Sequence, residues 1–218
     1  MKLLIEQTED VKFLKENING KKDYYIKGIF IQGQVKNRNG RIYPIDVLSE
    51  AVKKYDDDYI QKKRALSELD HPESPTINLD RVSHIITELK QNGSNFIGKA
   101  KIMSTPMGNI AKNLIDEGVL LGVSSRALAL LTESHDGTKI VGPDLIIAAI
   151  DIVSNPSAPE AFVESLNEST EWVMQAGKWV PKFMDKIAKP ALNNMNGQKA
   201  QDVAAKLFEE FLNSIGKK

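Results

Sequence analysis

The sequence predicts an α+β fold, mainly β with surrounding helices, followed by a helical tail. Three observations carry this expectation. Most of the chain between residues 24 and 153 consists of runs rich in β-branched and aromatic residues, punctuated by Asn-Gly and Asp-Gly turns. Only two segments in that stretch space their apolar residues at the helical period. After Asn155-Pro156-Ser157-Ala158-Pro159 the pattern turns helical.

Taken in order, the first 20 residues are charged and weakly patterned, closed by Asn19-Gly20. Residues 24–35 read as a strand or strand pair, and Asn37-Arg38-Asn39-Gly40 as a turn. Pro44 opens a helix with Val47, Leu48, Ala51, Val52 and Tyr55 on one face. Proline suits that place because a first helical position has no partner for an amide proton. Residues 64–69 are extended and lead into Asp70-His71-Pro72. Residues 82–89 and 95–103 flank Gln91-Asn92-Gly93-Ser94, a hairpin turn. Residues 107–117 form a helix with Ile110, Ala111, Leu114 and Ile115 on one face and Gly118 as its stop. Two strand-like stretches, 119–131 and 139–153, surround the turn His135-Asp136-Gly137. Beyond them, 161–166, 172–176 and 182–188 read as helical, with Pro181 and Pro190 as boundaries. A last helix, 200–215, carries Val203, Leu207, Phe208, Phe211 and Ile215 in one stripe. The chain thus divides into a β domain over 1–165 and a helical tail over 166–218.

Composition narrows the function. Lys and Arg total 29 of the 218 residues and Asp and Glu also total 29, so there is no basic surplus to displace counterions from nucleic acid. Apolar residues make up 41%, enough for a packed core. The absence of cysteine removes disulfides, thiolate metal sites and cysteine nucleophiles. The opening apolar run ends at Glu6, and no stretch approaches the roughly 18 apolar residues of a membrane span. A soluble intracellular protein, or one housed in a larger assembly, is expected, with neither nucleic-acid nor membrane partners.

Three segments could carry chemistry. His71 stands at a strand end among Glu68, Asp70 and Glu73, where nearby negative charge would favour its imidazolium and suit it to general base work. The same pattern also fits a surface histidine. In Leu121-Gly122-Val123-Ser124-Ser125-Arg126, two hydroxyls and a guanidinium interrupt an apolar run, and burying them is costly unless they find partners. A serine paired with a histidine base makes a nucleophile, whereas serines facing solvent would do no chemistry. Asp151 stands in the apolar Ala149-Ile150-Asp151-Ile152-Val153, either orienting a histidine or capping the turn that follows. His135, in a turn, is expected at a solvated hairpin tip.

Together the segments resemble the prohead core proteases of T-even-like tailed phages. Glu68-Leu69-Asp70-His71-Pro72-Glu73, Gly122-Val123-Ser124-Ser125-Arg126 and the 151–159 run Asp-Ile-Val-Ser-Asn-Pro-Ser-Ala-Pro occur in that family's order and spacing. Gly28-Ile29-Phe30 and the 37–44 stretch Asn-Arg-Asn-Gly-Arg-Ile-Tyr-Pro resemble it too, so the likeness covers about residues 24–165. That family sits with the herpesvirus assemblin-like serine proteases. The resemblance implies a closed β-barrel core wrapped by helices, with Ser124 as nucleophile and His71 as base. Ser124 is preferred to Ser125 because it falls two residues after the glycine, as in the family's pattern. Asp151 is the expected third member and His84 the runner-up, while the Ser125 amide and Arg126 are candidate oxyanion donors. No metal or cofactor is implied.

The family cleaves after glutamate in Leu/Ile-x-Glu. The resemblance therefore implies scaffold, core and capsid proteins as substrates, self-association, and action inside the assembling prohead in the host cytoplasm. Leu166-Asn167-Glu168-Ser169 fits that rule at the junction of domain and tail, which predicts self-cleavage after Glu168. The last helix either docks on a scaffold protein or packs on the core. Two other classes compete: a non-catalytic component of the prohead core, and a metal-dependent hydrolase using His71, His84 and Asp70 or Asp80.

Overall fold

The computed structural model describes residues 1–8, 11–18, 21–72, 74–154, 171–175 and 177–182. Two antiparallel sheets make its body. The larger has five strands in the order β2-β3-β7-β6-β5, namely β2 (Val11–Ile18), β3 (Lys21–Gln32), β7 (Asn95–Ile102), β6 (Val82–Asn92) and β5 (Leu66–Glu68). Residues alternate across it as a half-buried sheet requires: Phe96, Gly98, Ala100 and Ile102 of β7 point inward and are buried, with Ile97, Lys99 and Lys101 less so. The β6–β7 hairpin turns through Gly93-Ser94, between the paired Asn92 and Asn95, with Gly93 at φ +61°.

The smaller sheet is β1-β8-β11, made of β1 (Lys2–Thr8), β8 (Gly122–Ala129) and β11 (Ile146–Val153). Its central strand β8 is buried at every residue. Val123, Ala127 and Ala129 face the main core, while Leu128 packs with Leu3 and Trp172 on the other side. The chain between β8 and β11 makes an excursion through β9 (Leu131–Glu133) and β10 (Lys139–Val141), with β10 also pairing β4 (Arg41–Ile42) in parallel. His135 is exposed in the turn of that excursion, as expected.

Both helices of the β region form where their spacing predicts. Helix α1 (Ile45–Tyr55) starts after Pro44 and buries Leu48, Ala51, Val52 and Tyr55. Helix α2 (Pro106–Asp116) is capped by Thr105, whose hydroxyl accepts from the Gly108 amide at 3.1 Å, and it ends before Gly118 at φ +79°. A Cβ on Gly108 would stand 2.7 Å from the Ser83 carbonyl oxygen, so the glycine lets α2 press onto the backbone beside His84. Ile110 departs from expectation and is 44% exposed, because the buried face of α2 is the narrower one centred on Gly108 and Ala111.

Three expectations are corrected. The first 20 residues contain β1 and β2. Their pattern hides this because β1 is covered on both faces, so Leu3 and Leu4 are both buried and the polar alternation is missing. Residues 172–175, expected to be helical, form β12 (Trp172–Gln175), paired with β13 (Lys178–Pro181) around Gly177 at φ +77°. Tertiary contact overrides local preference there: the Trp172 amide donates to the Met1 carbonyl at 2.9 Å, and the indole covers Leu3 and Leu128. The expected helices at 161–166, 182–188 and 200–215 lie outside the described residues, Lys182 apart.

The third correction concerns the barrel, which is not closed among the described residues. The two sheets meet where β5 runs alongside β11, but the only backbone bridge there among the described residues is Leu69 with Ile152. Side chains take the place of the remaining ladder. The Ile150 amide donates to Ser67 Oγ at 3.1 Å and the Glu68 amide to Asp151 Oδ1 at 2.9 Å. Amides that would have bonded a neighbouring carbonyl are satisfied by a hydroxyl and a carboxylate, so the seam between the sheets is polar. The 37–44 stretch latches onto β1. Arg41 Nη1 reaches Glu6 Oε1 at 2.6 Å, Asn39 Nδ2 reaches Glu6 Oε2 at 2.8 Å, and the Tyr43 hydroxyl donates to Oε1 at 2.9 Å.

Candidate active site

Ser124 is the third residue of β8, in register with Asp151 of β11, so the two side chains share one face of the sheet. Arg126 is two residues on and shares that face too. Ser125, on the opposite face, looks toward the main core. The Ser124 hydroxyl is fully buried, and its Oγ makes no hydrogen bond. Leaving a buried hydroxyl unsatisfied costs about 1–3 kcal/mol, which calls for an explanation beyond packing.

His71 follows a sharp turn at the end of β5. The preceding Asp70 adopts φ +62°, a left-handed conformation that aspartate tolerates because its side chain bonds locally; here Asp70 Oδ1 accepts from the His71 amide at 3.1 Å. The turn is anchored to β11, since the Asp70 amide donates to the Ile152 carbonyl at 2.7 Å. Arg81, in the 3-10 turn Leu79–Arg81, holds the outer side by donating through Nη2 to the Leu69 carbonyl at 3.0 Å.

Below the turn lies a buried charged cluster. Arg126 Nε donates to Asp151 Oδ2 at 2.6 Å, and Nη2 to Asp151 Oδ1 at 3.2 Å and Glu68 Oε2 at 3.3 Å. Its Nη1 donates to the Ser74 carbonyl. Glu68, Arg126 and Asp151 are all 0% exposed. Burial raises both carboxyls above their ordinary range, and the Arg126 guanidinium opposes that rise in each. The Asn78 amide, which donates to Glu68 Oε1, opposes it further at Glu68. His71 lies near enough to Asp151 to act on it electrostatically, in the direction that lowers it. The hydrogen bonds of Asp151 go to Arg126 and the Glu68 amide.

The other candidates are committed elsewhere. The ring of His84 sits between the Ser83 hydroxyl, 2.8 Å from Nδ1, and the Ile150 carbonyl, 2.7 Å from Nε2. A carbonyl can only accept, so Nε2 carries the proton and Nδ1 accepts from Ser83. With both nitrogens engaged, His84 staples the larger sheet to β11 and offers no lone pair to a metal or a second histidine. Among the described residues no three His, Asp or Glu side chains converge in a metal-holding group. Arg126, spent on its cluster, is not an oxyanion donor. Nor is the Ser125 amide: the Ile150 amide turns away from β8 to Ser67, which makes Ser125–Ile150 a non-hydrogen-bonded pair and directs Ser125 toward Glu6 of β1.

Burial pushes the His84 imidazole down to about 4. In the unfolded chain it binds its proton near 6.5, so between those values the unfolded state holds more protons and stability falls as pH falls. Roughly 2 kcal/mol is expected to be lost between pH 7 and pH 5 through this group. Urea midpoints across that range should show the loss in the wild type, with a flatter profile for His84→Asn. Glu68 and Asp151, raised above their unfolded values, act in the opposite sense, so the difference between wild type and His84→Asn isolates the part of the histidine.

Residues 4–171 match the family model described as prohead core protein serine protease. The prohead core protein protease of Enterobacteria phage T4 is 38% identical over 143 residues, which cover 64% of this chain and 67% of that protein. The solved structure of the bacteriophage T4 capsid assembly protease, gp21, aligns with a TM-score of 0.66 at 33% identity, covering 71% of this chain and 98% of the other.

Proposed function

Because the chain belongs to the prohead core protein serine protease family, we propose that Ser124 is its nucleophile, His71 its general base and Asp151 the buried anion that supports His71. The observation that carries this reading is the buried, unsatisfied Ser124 hydroxyl facing the cluster that holds the His71 turn. Ser124 Oγ attacks the scissile carbonyl as His71 takes its proton, giving a tetrahedral intermediate and then an acyl-enzyme. His71 returns the proton to the leaving amine, and water, deprotonated in turn by His71, releases the acyl group. The Asp151 carboxylate favours the imidazolium that exists during each transfer.

The substrates are scaffold, core and capsid proteins of the assembling prohead, cut after glutamate in Leu/Ile-x-Glu, with copies of the chain associating within the shell. The protease domain spans 1–165 and the tail 166–218, separated by the chain's own cut after Glu168. Glu168 lies outside the described residues, but the segment that follows is tied back to β1 through Trp172. Mapping product termini by mass spectrometry tests this. A new terminus at Ser169, lost in Glu168→Gln, is expected, and cuts elsewhere or an uncut chain in an active preparation would overturn it.

A further inference from the structure

Arg126 contacts the chain on both sides of His71. Its guanidinium takes Glu68, three residues before the histidine, and the Ser74 carbonyl, three residues after it. The same guanidinium holds Asp151 by two bonds, and Asp151 in turn accepts from the Glu68 amide. All of this hangs on β8, two residues from Ser124. Stability alone does not account for such a cluster, since replacing a buried ionic triad with apolar residues of similar volume is often neutral or stabilising. Direction does account for it. The planar fork of arginine fixes the orientation of a carboxylate and a carbonyl together, which a lysine or an apolar side chain does not.

We propose that Arg126 and Glu68 are positioning residues that clamp the His71 segment onto the strand bearing Ser124. The proposal rests on the reading of Ser124 and His71 as nucleophile and base. Two carboxylates and one guanidinium form the clamp, while Arg81 Nε stands 4.0 Å from Glu68 Oε2 on its outer side. Its effect is exercised on the backbone on either side of His71, at Glu68 and Ser74; neither residue touches substrate.

The test uses the full chain carrying Arg126→Lys or Glu68→Gln, with Ser67→Ala as a seam control and Ser124→Ala as a check on the nucleophile. A misplacement of about 1 Å between reacting groups costs on the order of 100-fold. Both clamp variants are therefore expected to lower kcat by about that factor while KM stays within about threefold. Amide exchange over residues 69–78 should quicken by at least about tenfold in both, while β6 and β7 keep their protection. Ser67→Ala removes the acceptor of the Ile150 amide on the same seam, so it should lower the melting temperature and leave kcat unchanged. Clamp variants with kcat and exchange like wild type would overturn the proposal, as would a loss of kcat that tracks melting temperature across all three variants. If Arg126→Lys does not fold, Glu68→Gln decides by the same two readouts. An inactive Ser124→Ala beside fully active clamp variants refutes the clamp alone, whereas an active Ser124→Ala refutes the reading beneath it.

Discussion

Replacing His71 with glutamine is expected to lower kcat for peptide cleavage by a factor on the order of 10⁴–10⁶, with little change in stability. The expectation follows from the unit behaviour of a nucleophile and its base, in which losing either disables both. Glutamine keeps the approximate volume at this half-buried position but neither takes nor returns a proton. The Asp70 turn and its bond to the Ile152 carbonyl are backbone features and should survive the change. The double variant with Ser124→Ala is expected to be no slower than either single one. Kinetics of the three proteins side by side check this; an additive loss in the double variant would mean that the two residues do not act together.

Asp151→Ala is expected to produce the largest loss of stability, about 3–5 kcal/mol, because it strands a buried guanidinium. Arg126 is 0% exposed, and water does not replace the partner it loses. The same change removes the acceptor for the Glu68 amide, and with it one of the side-chain bonds that stand in for a ladder between β5 and β11. Asp151→Asn keeps an acceptor oxygen for that amide and should cost less. Urea denaturation of both variants measures the difference. A loss under about 1 kcal/mol for Asp151→Ala would show that the cluster is not closed around Arg126 in solution.

The parts of this architecture that were legible in the sequence are those governed by local chemistry. Pro44 and Gly118 bound their helices, and Gly93-Ser94 turns the β6–β7 hairpin, because each rests on dihedral preferences within a few residues. Strand β1 escaped notice because burial on both faces erases the alternation by which strands are recognised. Residues 172–175 escaped because their pairing across Gly177 and to Met1 is settled by contact, not by propensity. At the site, His71, Ser124 and Asp151 stood out as polar residues in apolar or constrained contexts; the fold pairs Ser124 with Asp151 and anchors the turn before His71 to Ile152 of the same strand.

The clamp was half visible. Arg126 carried the signal that a buried guanidinium needs partners, but its attachments at Glu68, Ser74 and Asp151 are 58, 52 and 25 residues away. A charge count over the strands would have linked the three, since Glu68, Arg126 and Asp151 are the sole charged residues of β5, β8 and β11. Glu6 is a second residue that the sequence concealed. It sits opposite Ser125 in the β1–β8 register, and its grip on Asn39, Arg41 and Tyr43 gives the 37–44 segment a structural part in holding the nucleophile's strand.

Intact mass over time, for wild type and Ser124→Ala each incubated with a peptide containing Leu-Asn-Glu-Ser, tests the central claim most directly. Cleavage after the glutamate by the wild type, with none by Ser124→Ala, is the predicted result. Equal cleavage by both proteins, or intact peptide with both, would contradict the assignment of Ser124 as the nucleophile of an active protease.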